Sequence, residues 1–102
     1  MKNTTYTIQL GLNDKDEKIQ LITNESAKNI VKKQWLKYFW WITTWLVEWS
    51  YKHEDGTEIT ENTIYAYVIT EKPIDEFISN LKSIFNQETI AVSKATEEIE
   101  FM

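Results

Sequence analysis

The length of 102 residues gives room for a single domain with one hydrophobic core, and we expect residues 1–102 to form that domain. Lysine and arginine together number 11 against 16 aspartate and glutamate residues, and the resulting net charge of -5 argues against direct nucleic-acid binding. The absence of cysteine excludes disulfides and thiol chemistry, and the N-terminus lacks the apolar core of a secretion signal. We therefore predict a cytoplasmic protein without a membrane-spanning segment.

The first two elements are predicted from hydrophobic periodicity. Residues 5–12 alternate, with Tyr6, Ile8, Leu10 and Leu12 on one face, which predicts a half-buried strand. A polar turn follows, and Thr23 or Asn24 is a suitable N-terminal cap for a helix that ends near Phe39. The apolar stripe of this helix contains Ala27, Ile30, Val31 and Tyr38.

All five tryptophans of the chain lie within residues 35–49. From Trp41 to Tyr51 the aromatic and β-branched residues recur with period two, which predicts a strand. The alternative is one helix from Asn24 to Trp49, because Trp41, Trp45 and Trp49 are also spaced four apart and no helix-breaking residue interrupts residues 30–54. We favour the strand.

The second half of the chain predicts a hairpin, a helix and a last strand. A turn at residues 53–57 leads into a strand through residues 64–69. Pro73 then opens a helix that Asn86 ends, and the last strand starts at Thr89. The order strand, helix, strand, strand, helix, strand predicts an α+β fold of the ferredoxin-like split βαβ kind, in which a four-stranded antiparallel sheet carries two helices on one face.

The hairpin turn decides which aromatic residues share a face. A two-residue turn at Asp55 and Gly56 would put Trp45 and Trp49 on the face of Ile64, Ala66 and Val68. A three-residue loop with Gly56 in the left-handed conformation instead gathers the aromatic set Trp41, Trp45, Trp49, Tyr65 and Tyr67 on one face. We favour the second register, because the run EDGT matches a type I turn followed by a glycine bulge.

In either register, large apolar side chains occupy both faces of the hairpin, and two helices can cover only one of them. We predict a non-enzymatic protein-interaction module whose partner-binding residues are Trp41, Trp45, Trp49, Tyr65 and Tyr67. Its partner is either a second copy, giving a homodimer, or another protein. The alternative is a small aromatic ligand such as a nucleotide, stacked between tryptophan and tyrosine rings.

No catalytic or metal-binding constellation is recognised in the sequence, and we predict no cofactor. His53 lies at the tip of the hairpin, where we interpret it as part of a solvated turn. Asp14 and Asp16 are spaced like the start of a calcium loop, but the remaining ligands and the turn glycine are missing, so this segment is also interpreted as a solvated turn.

Six segments resemble a group of small uncharacterised proteins from phages, plasmids and other mobile elements of low-GC Gram-positive bacteria. They are YTIQLGLNDKD at residues 6–16, YKHEDGT at 51–57, ENT at 61–63, FNQE at 85–88, IAV at 90–92 and EFM at 100–102. The resemblance covers about half of the chain and weakens at residues 40–50, where the group has glycine and fewer aromatic residues. It implies a protein that acts in the bacterial host cell, with a host defence effector as partner, in the manner of an anti-CRISPR inhibitor.

Overall fold

Six elements follow one another in the order that the sequence predicts. The computed structural model describes the backbone of residues 2–98 and the side chains of residues 3–96, so segment 100–102 of the resemblance lies outside the described residues. The elements are β1 (Lys2–Gly11), α1 (Asn24–Leu36), β2 (Thr43–Lys52), β3 (Glu58–Thr70), α2 (Asp75–Ile84) and β4 (Ala91–Glu98). None of the helices in the described part of the chain is long and apolar enough to span a membrane.

The four strands form one antiparallel sheet in the order β2-β3-β1-β4. Both connections that contain a helix skip over one strand, so β1 and β3 lie at the centre and β2 and β4 at the edges. Thr4 pairs with Thr70 across the central pair, and β1 also pairs with β4 along most of its length. The predicted α+β, ferredoxin-like arrangement is confirmed.

One hydrophobic core lies between the two helices and one face of the sheet. Its sheet side is formed by alternate residues of the central strands, as the period of two predicts: Ile8, Leu10, Ile64, Ala66 and Val68. The helices contribute Ala27, Val31 and Trp35 from α1 and Phe77 and Leu81 from α2. Trp35 and Phe77 are the largest fully buried side chains, so one tryptophan of the run belongs to the core.

Helix α1 ends at Leu36, earlier than the predicted end near Phe39. The Trp35 indole Nε1 donates a hydrogen bond to the carbonyl of Trp41, and Phe39 stacks on Trp35 with ring centroids 3.9 Å apart. The chain therefore turns back toward the core before β2 begins. The alternative of one helix continuing to Trp49 is wrong.

The hairpin between β2 and β3 closes through a three-residue loop. The backbone N–H of His53 donates to the carbonyl of Thr57 and that of Gly56 to the carbonyl of His53, both at 2.9 Å. Gly56 has a φ of 89°, the left-handed conformation that the bulge requires. Trp45 consequently pairs with Tyr65, which confirms the favoured register.

Candidate functional site

A cleft of about 400 Å³ lies at the end of the sheet where β1 stops and the β2–β3 hairpin continues. Three segments that are far apart in the sequence surround it: the turn after β1, the end of the hairpin, and the connection from α2 to β4. We call it the hairpin cleft, and its walls are formed by Asn13, Asp14, Lys15, Lys18, Tyr51, His53, Ile59, Glu61, Gln87, Glu88 and Thr89. A volume of this size suits a small organic ligand.

Glu61 reaches into the cleft from β3 and is half-buried. Its side chain lies over Gly11 of β1, so closely that a Cβ atom at Gly11 would stand 2.7 Å from Glu61 Oε1. The other carboxylate oxygen, Oε2, accepts a hydrogen bond of 3.1 Å from the backbone N–H of Asn13. The carboxylate of this β3 residue is therefore anchored to the segment that follows β1, and it is a strong acceptor for ligand hydroxyl or amino groups.

Asp14 fixes the turn that forms the opposite wall. Its Oδ2 accepts hydrogen bonds from the backbone N–H groups of Asp16 and Glu17, and its Oδ1 accepts one from Asn86 Nδ2, all at 2.9 Å. Gln87 Nε2 in turn donates to the carbonyl of Asn13 at 2.6 Å. Asp14 is buried and holds the turn together, whereas residues 15–18 are exposed, so the interpretation as a solvated turn is right for Asp16 and wrong for Asp14.

We expect this turn to loosen in acid. The hydrogen bonds from the Glu17 amide, the Asn86 side chain and the Asp16 amide lower the pKa of the Asp14 carboxyl below its usual value. Because the folded state favours the charged form, the stabilisation is present above a pH of about 4 and is lost as the pH falls further. Amide chemical shifts of Asp16 and Glu17, followed by NMR, should titrate together in this range. An Asp14→Asn variant is the control, and the same acid transition in that variant would contradict the assignment.

The third wall of the cleft is aromatic. Tyr51 packs against Trp49 with ring centroids 4.7 Å apart and meets the His53 ring edge-on at 5.5 Å. Although His53 is exposed at the hairpin tip, it lines the cleft and contacts Tyr51, which its interpretation as a solvated turn did not include. The rings of Trp49, Tyr51 and His53 offer a flat apolar surface near the Glu61 carboxylate. This arrangement suits a planar ligand that carries hydroxyl groups.

Four of the five predicted partner-binding residues, namely Trp45, Trp49, Tyr65 and Tyr67, lie on the sheet face that the helices leave uncovered, whereas the placement of Trp41 on that face is wrong. We call this the open face, and its described side chains are Asn3, Thr5, Thr7, Gln9, Thr43, Trp45, Val47, Trp49, Tyr51, Ile59, Glu61, Thr63, Tyr65, Tyr67, Ile69, Ala91, Ser93 and Ala95. Trp45 and Tyr65 are brought together, with ring centroids 4.6 Å apart. Trp41 precedes β2 and lines a separate shallow pocket with Trp40 and Ile69.

Sequence reasoning missed the hairpin cleft, although two signals pointed to it. Gly11 is an isolated glycine inside a strand, which often marks the close approach of another group. The segments that resemble mobile-element proteins, at residues 6–16, 51–57, 61–63 and 85–88, also supply most of the cleft walls. Among the side chains of residues 3–96, no group of three or more histidine, aspartate or glutamate residues is placed to hold a metal ion.

No protein-family model and no curated protein sequence matches the chain. The fold is similar to that of two solved structures. A phage SAM lyase in complex with S-methyl-5'-thioadenosine aligns over 91% of this chain and 80% of its own, with a TM-score of 0.60 and 20% identity. A phage SAM lyase in the apo state aligns over 97% of this chain and 91% of its own, with a TM-score of 0.63 and 15% identity.

These comparisons correct two predictions and support part of a third. Both neighbours are structures of an enzyme, which contradicts the predictions that this chain is not an enzyme and that it is an anti-CRISPR-like inhibitor of host defence. Both are also phage proteins, which supports a phage-related origin for this chain. At these identities the likeness establishes the fold: this chain has the α+β fold of phage SAM lyase.

Proposed function

We propose that this chain is an enzyme that binds S-adenosylmethionine (SAM) in the hairpin cleft and cleaves it to S-methyl-5'-thioadenosine. The observation that carries the proposal is the anchored Glu61 carboxylate, which faces an aromatic wall in a cleft of nucleoside size. The shared fold with a phage SAM lyase supports the same substrate class. In this proposal the protein acts in the cytoplasm of the bacterial host, where SAM is made.

The walls of the cleft match the parts of the substrate. A purine ring stacks on the Tyr51 and His53 side of the cleft, because aromatic faces bind flat heterocycles without needing a fixed hydrogen-bond pattern. Glu61 accepts hydrogen bonds from the ribose hydroxyls, a use of carboxylates that also occurs in dinucleotide-binding folds. Lys15 and Lys18 on the opposite wall attract the carboxylate of the methionine moiety.

The reaction requires the bond between the sulfonium sulfur and Cγ of the methionine moiety to break. The sulfur keeps the bonding electron pair and becomes a neutral thioether, so neither an oxidant nor a water molecule is consumed. As this bond breaks, either the carboxylate oxygen of the same fragment forms a bond to Cγ and gives a lactone, or a base removes a Cβ proton and the C–H electron pair forms the Cβ–Cγ double bond of an unsaturated amino acid. In both routes the protein contributes chiefly by holding the substrate in a reactive conformation and by excluding water from a cation whose charge disappears.

The direct test is to incubate the purified protein with SAM and to identify both products by liquid chromatography and mass spectrometry. We expect S-methyl-5'-thioadenosine to form in proportion to protein concentration, and the co-product to distinguish a lactone from an unsaturated amino acid. S-adenosylhomocysteine is the matched control, because it has the same nucleoside but an uncharged sulfur and should not react. Product formation no faster than in buffer, together with no binding of S-methyl-5'-thioadenosine, would refute the proposal.

We also propose that the open face associates with a second copy of the chain. Among its described side chains only Glu61 is charged, although charged residues make up 26% of the sequence. Two copies that each carry a net charge of -5 repel each other, and among the described side chains this face brings one carboxylate from each copy into the contact. Interface centres are likewise depleted in charge and enriched in tyrosine and tryptophan.

The size of the open face also fits an interface. Four strands spaced about 4.8 Å apart, with about ten residues each, cover roughly 600 Å² in projection. A stable interface buries about 800 Å² per partner, and the relief of aromatic side chains adds to the projected area. Trp45 and Trp49 are 43% and 51% exposed in the single chain, so both have surface left to bury.

Replacing Trp45 and Trp49 together by alanine should therefore convert the associated protein to a monomer, because these two side chains are the largest anchors on the open face. Light scattering across a concentration series measures the mass. Trp40→Ala is the matched control: Trp40 is 92% exposed but lies outside the strands, so its loss should leave association unchanged. A monomeric native protein, or an unchanged mass in a folded double variant, would contradict self-association.

A further inference from the structure

The glycine at position 11 has no conformational reason to be a glycine. Of the two glycines in the chain, only Gly56 has a positive φ. Gly11 is the last residue of β1 and pairs with Thr63 of β3 in a regular antiparallel register, where most residues with a side chain are more favourable than glycine. The reason for glycine must therefore lie in what occupies the space above its Cα atom.

That space is filled by the carboxylate of Glu61. A Cβ atom on Gly11 would stand 2.7 Å from Glu61 Oε1, 2.8 Å from Cδ and 2.9 Å from Oε2. All three distances are shorter than any van der Waals contact allows, and all three involve the same group. Around Gly56, by contrast, an added Cβ would meet nothing within 4 Å. Gly11 thus leaves a space above its Cα atom that the Glu61 carboxylate occupies.

The Asn13 amide holds the Glu61 carboxylate, and the missing side chain at Gly11 leaves the space in which that carboxylate lies. The side chain extends from β3 to the end of β1, where it lies against the Cα atom of Gly11 and accepts a hydrogen bond at Oε2 from the backbone N–H of Asn13, two residues beyond the strand. A glutamate side chain has three rotatable bonds and would otherwise sample many positions in the cleft. The hydrogen bond from Asn13 reduces this freedom and keeps the carboxylate at one place in the cleft.

We propose that Gly11 is a positioning residue, which sets the Glu61 carboxylate at the place where it accepts the ligand's ribose hydroxyls. The ligand part of this inference rests on the proposed function, whereas the positioning part concerns this chain alone. Gly11 does not touch the ligand in this proposal. It acts through Glu61, and its effect should therefore disappear when Glu61 is removed.

The test is the variant Gly11→Ala. Alanine is compatible with the backbone of β1, and only the end of a flexible side chain has to move, so we expect thermal stability at least equal to that of the native protein. The affinity for S-methyl-5'-thioadenosine, measured by calorimetry, should fall about tenfold.

In a Glu61→Ala background, the change Gly11→Ala should have no further effect on this affinity, which a double-mutant cycle detects. In Gly11→Ala, the additional change Glu61→Asp should restore part of the affinity, because the shorter side chain avoids the new methyl group.

Two readouts separate this inference from the proposed function. The NMR amide signal of Asn13 and the chemical shift of the Glu61 carboxyl carbon report the position of the carboxylate without any ligand. If Gly11→Ala moves both signals while the native protein binds no nucleoside, the positioning stands and the proposed ligand is wrong. If both signals stay where they are in the native protein, or if Gly11→Ala weakens binding equally with and without Glu61, the positioning role is overturned.

Discussion

Replacing Glu61 by alanine is expected to lower the rate of S-methyl-5'-thioadenosine formation roughly 100-fold, because a substrate that loses its anchor no longer holds a reactive conformation. Glu61 is the only charged side chain described on the open face, and its carboxylate is already fixed by Asn13 and Gly11 before any ligand binds. Steady-state rates at saturating and at limiting SAM concentration measure the effect. Glu61→Gln should lie between alanine and the native protein, since an amide keeps the shape but not the charge.

The control for this prediction lies on the same strand. Glu58 begins β3, is exposed and faces away from the open face, so Glu58→Gln removes one negative charge without touching the cleft. We expect it to react at the native rate. Equal losses in Glu58→Gln and Glu61→Gln would mean that overall charge, rather than the anchored carboxylate, controls the reaction, and an unchanged rate in Glu61→Ala would remove Glu61 from the site.

The largest effect on stability is expected for Trp35→Ala, with a loss of about 3 to 5 kcal/mol in the free energy of unfolding. Trp35 is completely buried, stacks on Phe39 and meets Phe77 edge-on with ring centroids 4.9 Å apart. Its indole also donates to the carbonyl of Trp41, so alanine leaves a cavity and removes this hydrogen bond. Because a domain of this size has a total stability of about 5 to 15 kcal/mol, the variant should be close to unfolding at room temperature.

Urea unfolding followed by circular dichroism measures this loss without depending on tryptophan emission. Trp40→Ala is again the matched control, because it removes the same side chain from an exposed position and should change stability by no more than about 0.5 kcal/mol. Trp35→Phe should retain part of the packing. Similar stabilities for the Trp35 and Trp40 variants would show that the core does not depend on the first tryptophan of the run.

The order of the elements and the hairpin register were predictable from the sequence because local patterns determine both. The run Glu54-Asp55-Gly56 forms the three-residue loop that its turn chemistry predicts, and that loop sets the pairing of Trp45 with Tyr65. Periodicity assigned the strands and helices, since a strand with one buried face must alternate. The end of α1 was less accurate, because the contact between Trp35 and the Trp41 carbonyl is tertiary and leaves no periodic pattern.

The candidate site was not predictable in the same way. Glu61 and Asn13 are 48 residues apart, and Asp14 and Asn86 are 72 residues apart. No local sequence pattern therefore predicts that the residues of each pair form a hydrogen bond. The tryptophans attracted attention as a group, yet Trp35 is core, Trp40 is exposed outside the sheet, and only Trp45 and Trp49 lie on the open face. Composition counts aromatic residues but does not distinguish these environments.

The strand order has a consequence for the way a ribosome delivers this protein. β1 precedes the other strands in the chain but lies at the centre of the sheet, and its partners are β3, which ends at Thr70, and β4, which starts at Ala91. During synthesis β1 therefore carries an unpaired apolar face until β3 has followed it, and its second neighbour is added only after α2. A truncation that removes β4 would leave one side of β1 without a partner, because β4 pairs directly with β1.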